Sequence, residues 1–264
     1  MQLSSKELNK FERLYTLGFN VESELYINKK RLYKIYKQGV DFKTKEKTID
    51  IIMKLQHIDN CIWPKDKIYI DDKFSGIVLD YKKGFKNLAE TYNKFSLKQA
   101  INMGNQLSIA LKQIYSNGLI YGDIHGDNII TDCNNSYFCD LDGMKMNIDN
   151  DERMTLYTIM YNDRSPAILD NQTTDNIKLL MYILSAIYGY DFEYMLKMRG
   201  TEYMQKLVQN LNLDNSLKYI MMEAFNIGNE CLYFYEYSKE LSKCEDMINN
   251  DKKVITNKVK FLLY

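Results

Sequence analysis

The feature that most constrains this chain is a polar loop, Tyr121-Gly122-Asp123-Ile124-His125-Gly126-Asp127-Asn128, that runs directly into the apolar pair Ile129-Ile130. After the turn Asp132-Cys133-Asn134-Asn135-Ser136, a second apolar run, Tyr137-Phe138-Cys139, ends on Asp140-Leu141-Asp142-Gly143. Asn and Asp tolerate the backbone angles of tight turns, so the pattern predicts two short strands joined by an Asn-rich turn. Such a hairpin brings Asn128 at its entrance close to Asp140 at its exit. Both offer oxygen to a hard cation such as Mg²⁺, and Asp123 stands beside them as a candidate general base.

Upstream the pattern is one of strands. Residues 11–17 and 24–27 carry β-favouring side chains and flank Gly18-Phe19-Asn20-Val21-Glu22-Ser23, which predicts a hairpin. Residues 31–37 read as a third strand, with Leu32, Lys34 and Tyr36 on one face and Tyr33 and Ile35 on the other. A lysine at the centre of an apolar strand costs free energy unless it is paired. Residues 44–55 read as a helix with Ile49, Ile52, Met53 and Gln56 on a shared face. Two further strands, 67–70 and 75–81, surround the turn Asp71-Asp72-Lys73, and Lys82-Lys83-Gly84 reads as a hinge.

Beyond the hinge the pattern becomes helical. Ile101, Leu107, Ala110, Leu111 and Ile114 form a stripe over residues 97–117 that Asn117-Gly118 ends, delivering the chain to Asp123. Residues 144–170 show no strong periodicity. Residues 174–189 open on an N-cap signal and are apolar on nearly every side, which predicts a buried helix. The remainder, 192–264, reads as further helices with polar breaks.

Composition narrows the function classes. At 264 residues and 45% hydrophobic content the chain fits one two-lobed domain or two small ones. Lys+Arg and Asp+Glu both number 35, so net charge gives no case for nucleic acid or an anionic membrane as partner. Cys61, Cys133, Cys139, Cys231 and Cys244 lack paired metal-ligand spacing, and with only two histidines a His-based zinc site is not expected. The first residues show no signal-peptide pattern and no apolar run is long enough to span a bilayer, so a cytoplasmic protein is expected.

Taken in order, these parts resemble the protein-kinase-like superfamily. The wording Gly-Asp-Ile-His-Gly-Asp-Asn at 122–128 is similar to the Gly-Asp-Leu-His-Pro-Gly-Asn version of its bacterial and small-molecule members, where eukaryotic kinases usually have His-Arg-Asp. The resemblance implies an α+β, two-lobed fold in a single domain. A small antiparallel β-sheet lobe with one helix would occupy 1–81, a hinge 82–86, and a larger, mainly helical lobe 87–264. It also implies ATP and Mg²⁺ as cofactors. Lys34 would grip the nucleotide phosphates, Asn128 and Asp140 would hold the metal, and Asp123 would orient an acceptor hydroxyl and take its proton. Asp142 competes with Asp140 for the metal, but the apolar run before Asp140 makes it the better strand-end ligand. His125 stands where protein kinases often keep a lysine, and either hydrogen-bonds phosphate or structures the loop.

The same resemblance assigns the rest of the nucleotide site. Gly18, Asn20 and Ser23 stand where protein kinases have three glycines over the phosphates. An acid of the first long helix would hold Lys34; Glu46 and Asp50 are both in range, and the longer Glu46 is favoured. Leu79 would be the gatekeeper, Asp80 and Lys82 would offer backbone groups to an adenine edge, and Leu32 and Ile130 would sandwich the base. Asp175 would hold the catalytic loop by hydrogen bonds, or, with Thr174, cap its own helix. Residues 144–170 match an activation segment carrying Thr155, Tyr157, Thr158, Tyr161 and Ser165, without the arginine before Asp123 that clamps an activation-loop phosphate.

The expected activity is transfer of a γ-phosphate to a hydroxyl, first of all to Ser/Thr of a protein. A small-molecule kinase of the aminoglycoside or choline type and a nucleotide-binding pseudokinase acting as an interaction module are the alternatives. The degenerate glycine loop favours the pseudokinase, and the intact set Lys34, Asp123, Asn128 and Asp140 opposes it.

Overall fold

The computed structural model describes residues 1–14, 22–146, 172–192, 205–224 and 232–262. Its N-terminal part contains the strands Glu12–Leu14 (β1), Ser23–Asn28 (β2), Arg31–Tyr36 (β3), Asp66–Ile70 (β4) and Lys73–Asp80 (β5). They form one antiparallel sheet in the order β1-β2-β3-β5-β4. The predicted alternation in β3 is present. Tyr33 and Ile35 pack with Leu3, Leu8, Ile68 and Val78 on one face, whereas Leu32 and Tyr36 join the main core on the other.

Turn chemistry sets the registers. Asp71 and Asp72 both take positive φ, 50° and 58°, the two-residue geometry whose twist matches that of the flanking strands. Lys73, expected in the turn, therefore already belongs to β5. The outer edge of β4 is covered by the chain's own first residues: Leu3 N–H donates to Tyr69 O, and Tyr69 N–H to Met1 O, each at 3.0 Å. A short helix, Ser5–Leu8 (α1), follows and brings Leu8 onto the sheet face.

The helix Phe42–Lys54 (α2) starts at Asp41, whose carboxylate accepts from Thr44 N–H at 3.1 Å, a side-chain cap on the free first-turn amides. It buries Ile49 and Ile52. Met53 and Gln56, expected on that face, point outward. The helix ends at Lys54, with Leu55 already extended, so Gln56 is out of helical phase, and Met53 is turned about 100° from Ile52.

The short strand Lys86–Asn87 (β6) precedes the helix Leu97–Ser116 (α3), which opens on a Ser96/Gln99 capping box and buries Leu107, Leu111 and Ile114 completely. Gly118, at φ 72°, ends it, a conformation that glycine adopts without steric cost. Leu119–Ile120 (β7) then pairs with Lys145–Met146 (β10), and Ile129–Thr131 (β8) and Ser136–Phe138 (β9) form a three-stranded sheet with β6. Further helices include Gln172–Tyr188 (α4), Asn215–Ala224 (α5), Phe234–Ser242 (α6) and Glu245–Leu262 (α7).

Gly104 lets α3 and α6 approach closely, since a Cβ there would lie 2.5 Å from the Phe234 ring. A single core cluster runs from Ile49, Ile77 and Leu79 through Leu107, Phe138 and Leu141 to Ile183 and Ile187. The fold is α+β. Among the described residues no helix is long and apolar enough to cross a membrane.

Candidate functional site

The hairpin expected between Asn128 and Asp140 forms with Ile129 opposite Phe138, Ile130 opposite Tyr137 and Thr131 opposite Ser136. Its turn is closed by the Asp132 carboxylate, which accepts from Asn134 N–H at 2.9 Å and Asn135 N–H at 2.7 Å. At the open end Cys139 N–H donates to Asn128 O at 2.9 Å, and the buried Tyr121 hydroxyl donates to both the Cys139 and the Asn128 carbonyl. Asn128 and Asp140 thus stand on adjoining rungs. Asp140 itself has φ 62°, a left-handed conformation uncommon outside glycine, and it turns the chain out of β9 into the short turn Leu141–Gly143.

The polar loop is fixed from two sides. Gly122, at φ 77°, donates its N–H to both oxygens of Asp175, each at 3.1 Å, and accepts from Lys178 Nζ at 3.2 Å. Asp175 is fully buried and also accepts from the Tyr115 hydroxyl at 2.9 Å. Between the two roles expected of it, Asp175 therefore holds the loop. Further along, Asn128 Nδ2 donates to Asp123 O at 3.1 Å and to Asp123 Oδ2 at 3.0 Å. That orients the amide and leaves its Oδ1 as the acceptor.

His125 Nε2 lies 3.7 Å from Asp123 Oδ2, and in the neutral ring its Nδ1 accepts from Asp127 N–H at 3.3 Å. Burial opposes ionisation of Asp123, but His125, Lys178 and Asn128 outweigh it and hold the carboxyl below its usual range. Burial likewise works to lower the imidazole, yet the Asp123 carboxylate wins and holds His125 above its ordinary value.

Lys34 is 6% exposed, and its ammonium donates to Asp140 and, at 2.7 Å, to Asp142. Asp142 also accepts from the Tyr36 hydroxyl at 2.7 Å and lies 3.3 Å from Lys45 Nζ. Lys45 reaches on to Glu22 at 2.8 Å. Burial penalises the Lys34 charge, but the two carboxylates raise the ammonium well above the ordinary lysine range. Of the acids, Asp142 carries its charge firmly: burial is outweighed by Lys34, Asp140 and Lys45, and its carboxyl sits well below the usual value. Asp140, whose side chain is 37% exposed, is pushed up by burial and by the Asp142 charge against the pull of Lys34.

The acid expected from α2 is not there. Glu46 accepts from Lys67 Nζ at 3.0 Å and from the Tyr69 hydroxyl at 2.9 Å, and Asp50 also pairs with Lys67, at 2.8 Å. Successive helix positions are rotated by about 100°, so with Lys45 turned toward Asp142 its neighbour Glu46 is carried to the β4 side. Asp142, Lys45, Tyr36 and Lys178 are the members of this site that sequence reasoning did not assign to these contacts. For Lys178 a signal exists, because three positions after Asp175 it shares that helix face.

The remaining expected positions are scattered around this centre. Leu79 is buried opposite Leu32 in the β3–β5 register, and Leu32 and Ile130 are partly buried at the margin of the main core. The Asp80 carboxylate is paired with Arg31 and Lys65. Lys82 O accepts from Phe85 N–H at 3.3 Å, so that carbonyl is used within its own turn, and Lys82 Nζ lies 4.1 Å from the Tyr137 ring centroid. Ser23 is buried opposite Tyr36 at the start of β2. Gly18 and Asn20 lie outside the described residues, as do Thr155, Tyr157, Thr158, Tyr161 and Ser165.

No protein-family model matches the chain, and no curated protein matches it. The site must therefore be read from its own chemistry. Among the described residues no group of three His, Cys, Asp or Glu could hold a metal. The donors on offer are one carboxylate, Asp140, and one amide oxygen, Asn128. Two hard oxygen donors fit Mg²⁺, which takes few protein ligands and completes its shell with water and phosphate oxygens.

Proposed function

We propose that this chain is an ATP- and Mg²⁺-dependent phosphotransferase that delivers the γ-phosphate to a hydroxyl, in the first instance a Ser or Thr of a protein. The observation that carries the reading is that Lys34 and Asp140, 106 positions apart, form an ion pair beside the Asn128–Asp123 hydrogen bonds. A phosphate-gripping cation, two oxygen ligands for a metal and a depressed carboxylate in one neighbourhood are the parts that phosphoryl transfer uses, since its catalysis is mostly positioning and charge neutralisation. The α+β architecture supports a two-lobed, kinase-like arrangement with the sheet in one lobe, residues 82–86 as hinge and the helices in the other.

Bound Mg²⁺ would neutralise phosphate charge, and Asn128 and Asp140 are the residues that would hold it. Lys34 binds phosphate oxygens. Asp123 orients the acceptor hydroxyl and accepts its proton, with the Asn128 amide fixing the carboxylate and Asp175 fixing the loop. A small-molecule hydroxyl is the second reading, which the Gly122–Asn128 wording equally permits.

The deciding experiment incubates purified protein with γ-labelled ATP and Mg²⁺, alone and with a generic protein acceptor, beside Asp140→Ala. Label on protein from the wild type and none from the variant is the expected result. Absence of protein labelling with Mg²⁺-dependent nucleotide binding intact points to a metabolite acceptor. Absence of nucleotide binding removes the phosphotransferase reading.

A further inference from the structure

We propose that Asp142 is the residue that positions Lys34, taking the part expected of an acid on α2, and that α2 is tied to the site by a cation, Lys45, bonded to that same carboxylate. The proposal rests on the reading of Lys34 as the phosphate-binding cation, but its structural half is testable without nucleotide.

Three observations carry it. First, the Asp142 side chain is wholly buried and its two oxygens are taken by Lys34, Tyr36 and Lys45. A carboxylate has about four lone-pair sites, and three donors on this one leave it little capacity for a metal. Second, Asp140 is 37% exposed on its side chain and so is the acid that a cation can reach. If a cation draws on Asp140, Asp142 still holds Lys34. The left-handed Asp140 and the turn after it are what let residues 140 and 142 both face one ammonium. Third, both acids of α2 are committed to Lys67, so the helix offers Lys34 no carboxylate. What it offers the cluster is Lys45, 15% exposed, bridging Asp142 and Glu22.

The sign of the helical partner makes a charge-relocation test possible. Asp142→Asn removes the anchor, and Lys45→Glu in the same chain returns a carboxylate from the helix side. The first readout is the rate at which an amine-reactive reagent modifies Lys34 in nucleotide-free protein, resolved by peptide mass spectrometry. The second is the dissociation constant for Mg²⁺-bound ATP.

Truncating one partner of a buried pair frees the other, so Asp142→Asn is expected to raise Lys34 modification and weaken nucleotide binding, each about tenfold or more. The double variant Lys45→Glu/Asp142→Asn should recover most of both changes, and Asp142→Glu should recover part. Lys45→Met should leave Lys34 protected. Unchanged Lys34 modification in a folded Asp142→Asn protein, or a double variant no better than the single one, overturns the proposal. Should Asp142→Asn fail to fold, Asp140→Asn decides: release of Lys34 there assigns the anchoring to Asp140 and overturns the proposal, and continued protection supports it. A wild type that binds no nucleotide removes the functional reading alone, because Lys34 modification still decides whether Asp142 is the anchor.

Discussion

The Gly122 amide donates to both oxygens of Asp175, each at 3.1 Å, across 53 positions of sequence. This pair joins the loop that carries Asp123 to the most buried helix of the described chain. It converts a flexible glycine peptide into a fixed one, and the position of Asp123 follows from it.

Asp175→Ala should therefore act on both stability and activity. It deprives Gly122 N–H and the Tyr115 hydroxyl of their buried acceptor, a loss of about 3 kcal/mol. Asp175→Asn keeps one acceptor oxygen and should cost about half as much. Urea unfolding measures both, and a loss under about 1 kcal/mol for the alanine variant would show that the clamp is not a structural determinant.

Glu46 offers a contrasting case. Because it pairs with Lys67 and Tyr69 on the β4 side, Glu46→Ala should leave affinity for Mg²⁺-bound ATP within about twofold and stability within about 1 kcal/mol, as for other partly exposed ion pairs. A tenfold loss of nucleotide affinity in this variant would mean that Glu46 reaches Lys34 in the nucleotide-bound protein after all.

These two acids mark where the sequence could and could not be read. Period-two alternation placed Tyr33 and Ile35 on one face of β3 and Tyr36 on the other, because strand geometry admits only that choice once the strand exists. The Asn-rich turn gave the hairpin and with it the neighbourhood of Asn128 and Asp140. Asp175 was visible as an early acid in an otherwise apolar helix, where a charge must find a partner. The partner of Lys34 was not visible, since Glu46, Asp50 and Asp142 are all acids within plausible reach. The choice among them depends on the rotation of α2 about its axis and on a left-handed residue at Asp140. The cover of the β4 edge by residues 1–3 was hidden for a similar reason: a segment docked by backbone hydrogen bonds carries little side-chain pattern.

Asp123→Asn tests the base assignment. The replacement amide can still accept from Asn128 Nδ2, so nucleotide affinity should stay within about twofold while transfer falls by about 10²- to 10⁴-fold. Transfer at the wild-type rate would place the base elsewhere.

The same variant has a pH signature at His125. The imidazole is held above its ordinary 6.5 chiefly by the Asp123 carboxylate acting against burial, so its protonated form is favoured in the folded state. The stability this provides is complete below pH 6.5 and is lost as pH rises through the folded value. Asp123→Asn should move the His125 titration downward in an NMR pH series and remove that slope from the unfolding free energy. An unshifted titration would show that the two side chains do not sense each other's charge.

Two glycines separate a backbone constraint from a side-chain one. A Cβ at Gly104 would meet the Phe234 ring at 2.5 Å, and one at Gly76 would meet the Lys34 carbonyl oxygen at 2.1 Å. A ring at a helix contact can tilt, so Gly104→Ala should cost about 1–3 kcal/mol and leave nucleotide affinity unchanged. The Lys34 carbonyl is part of the β3–β5 ladder and has no such freedom. Gly76→Ala must push β3 away from β5 at Lys34, the residue proposed to grip phosphate. It should therefore cost more than Gly104→Ala in denaturant unfolding and, unlike it, weaken binding of Mg²⁺-bound ATP by about tenfold or more. Equal losses of stability with nucleotide affinity intact in both variants would mean that the close approach of Gly76 to β3 is not what seats Lys34.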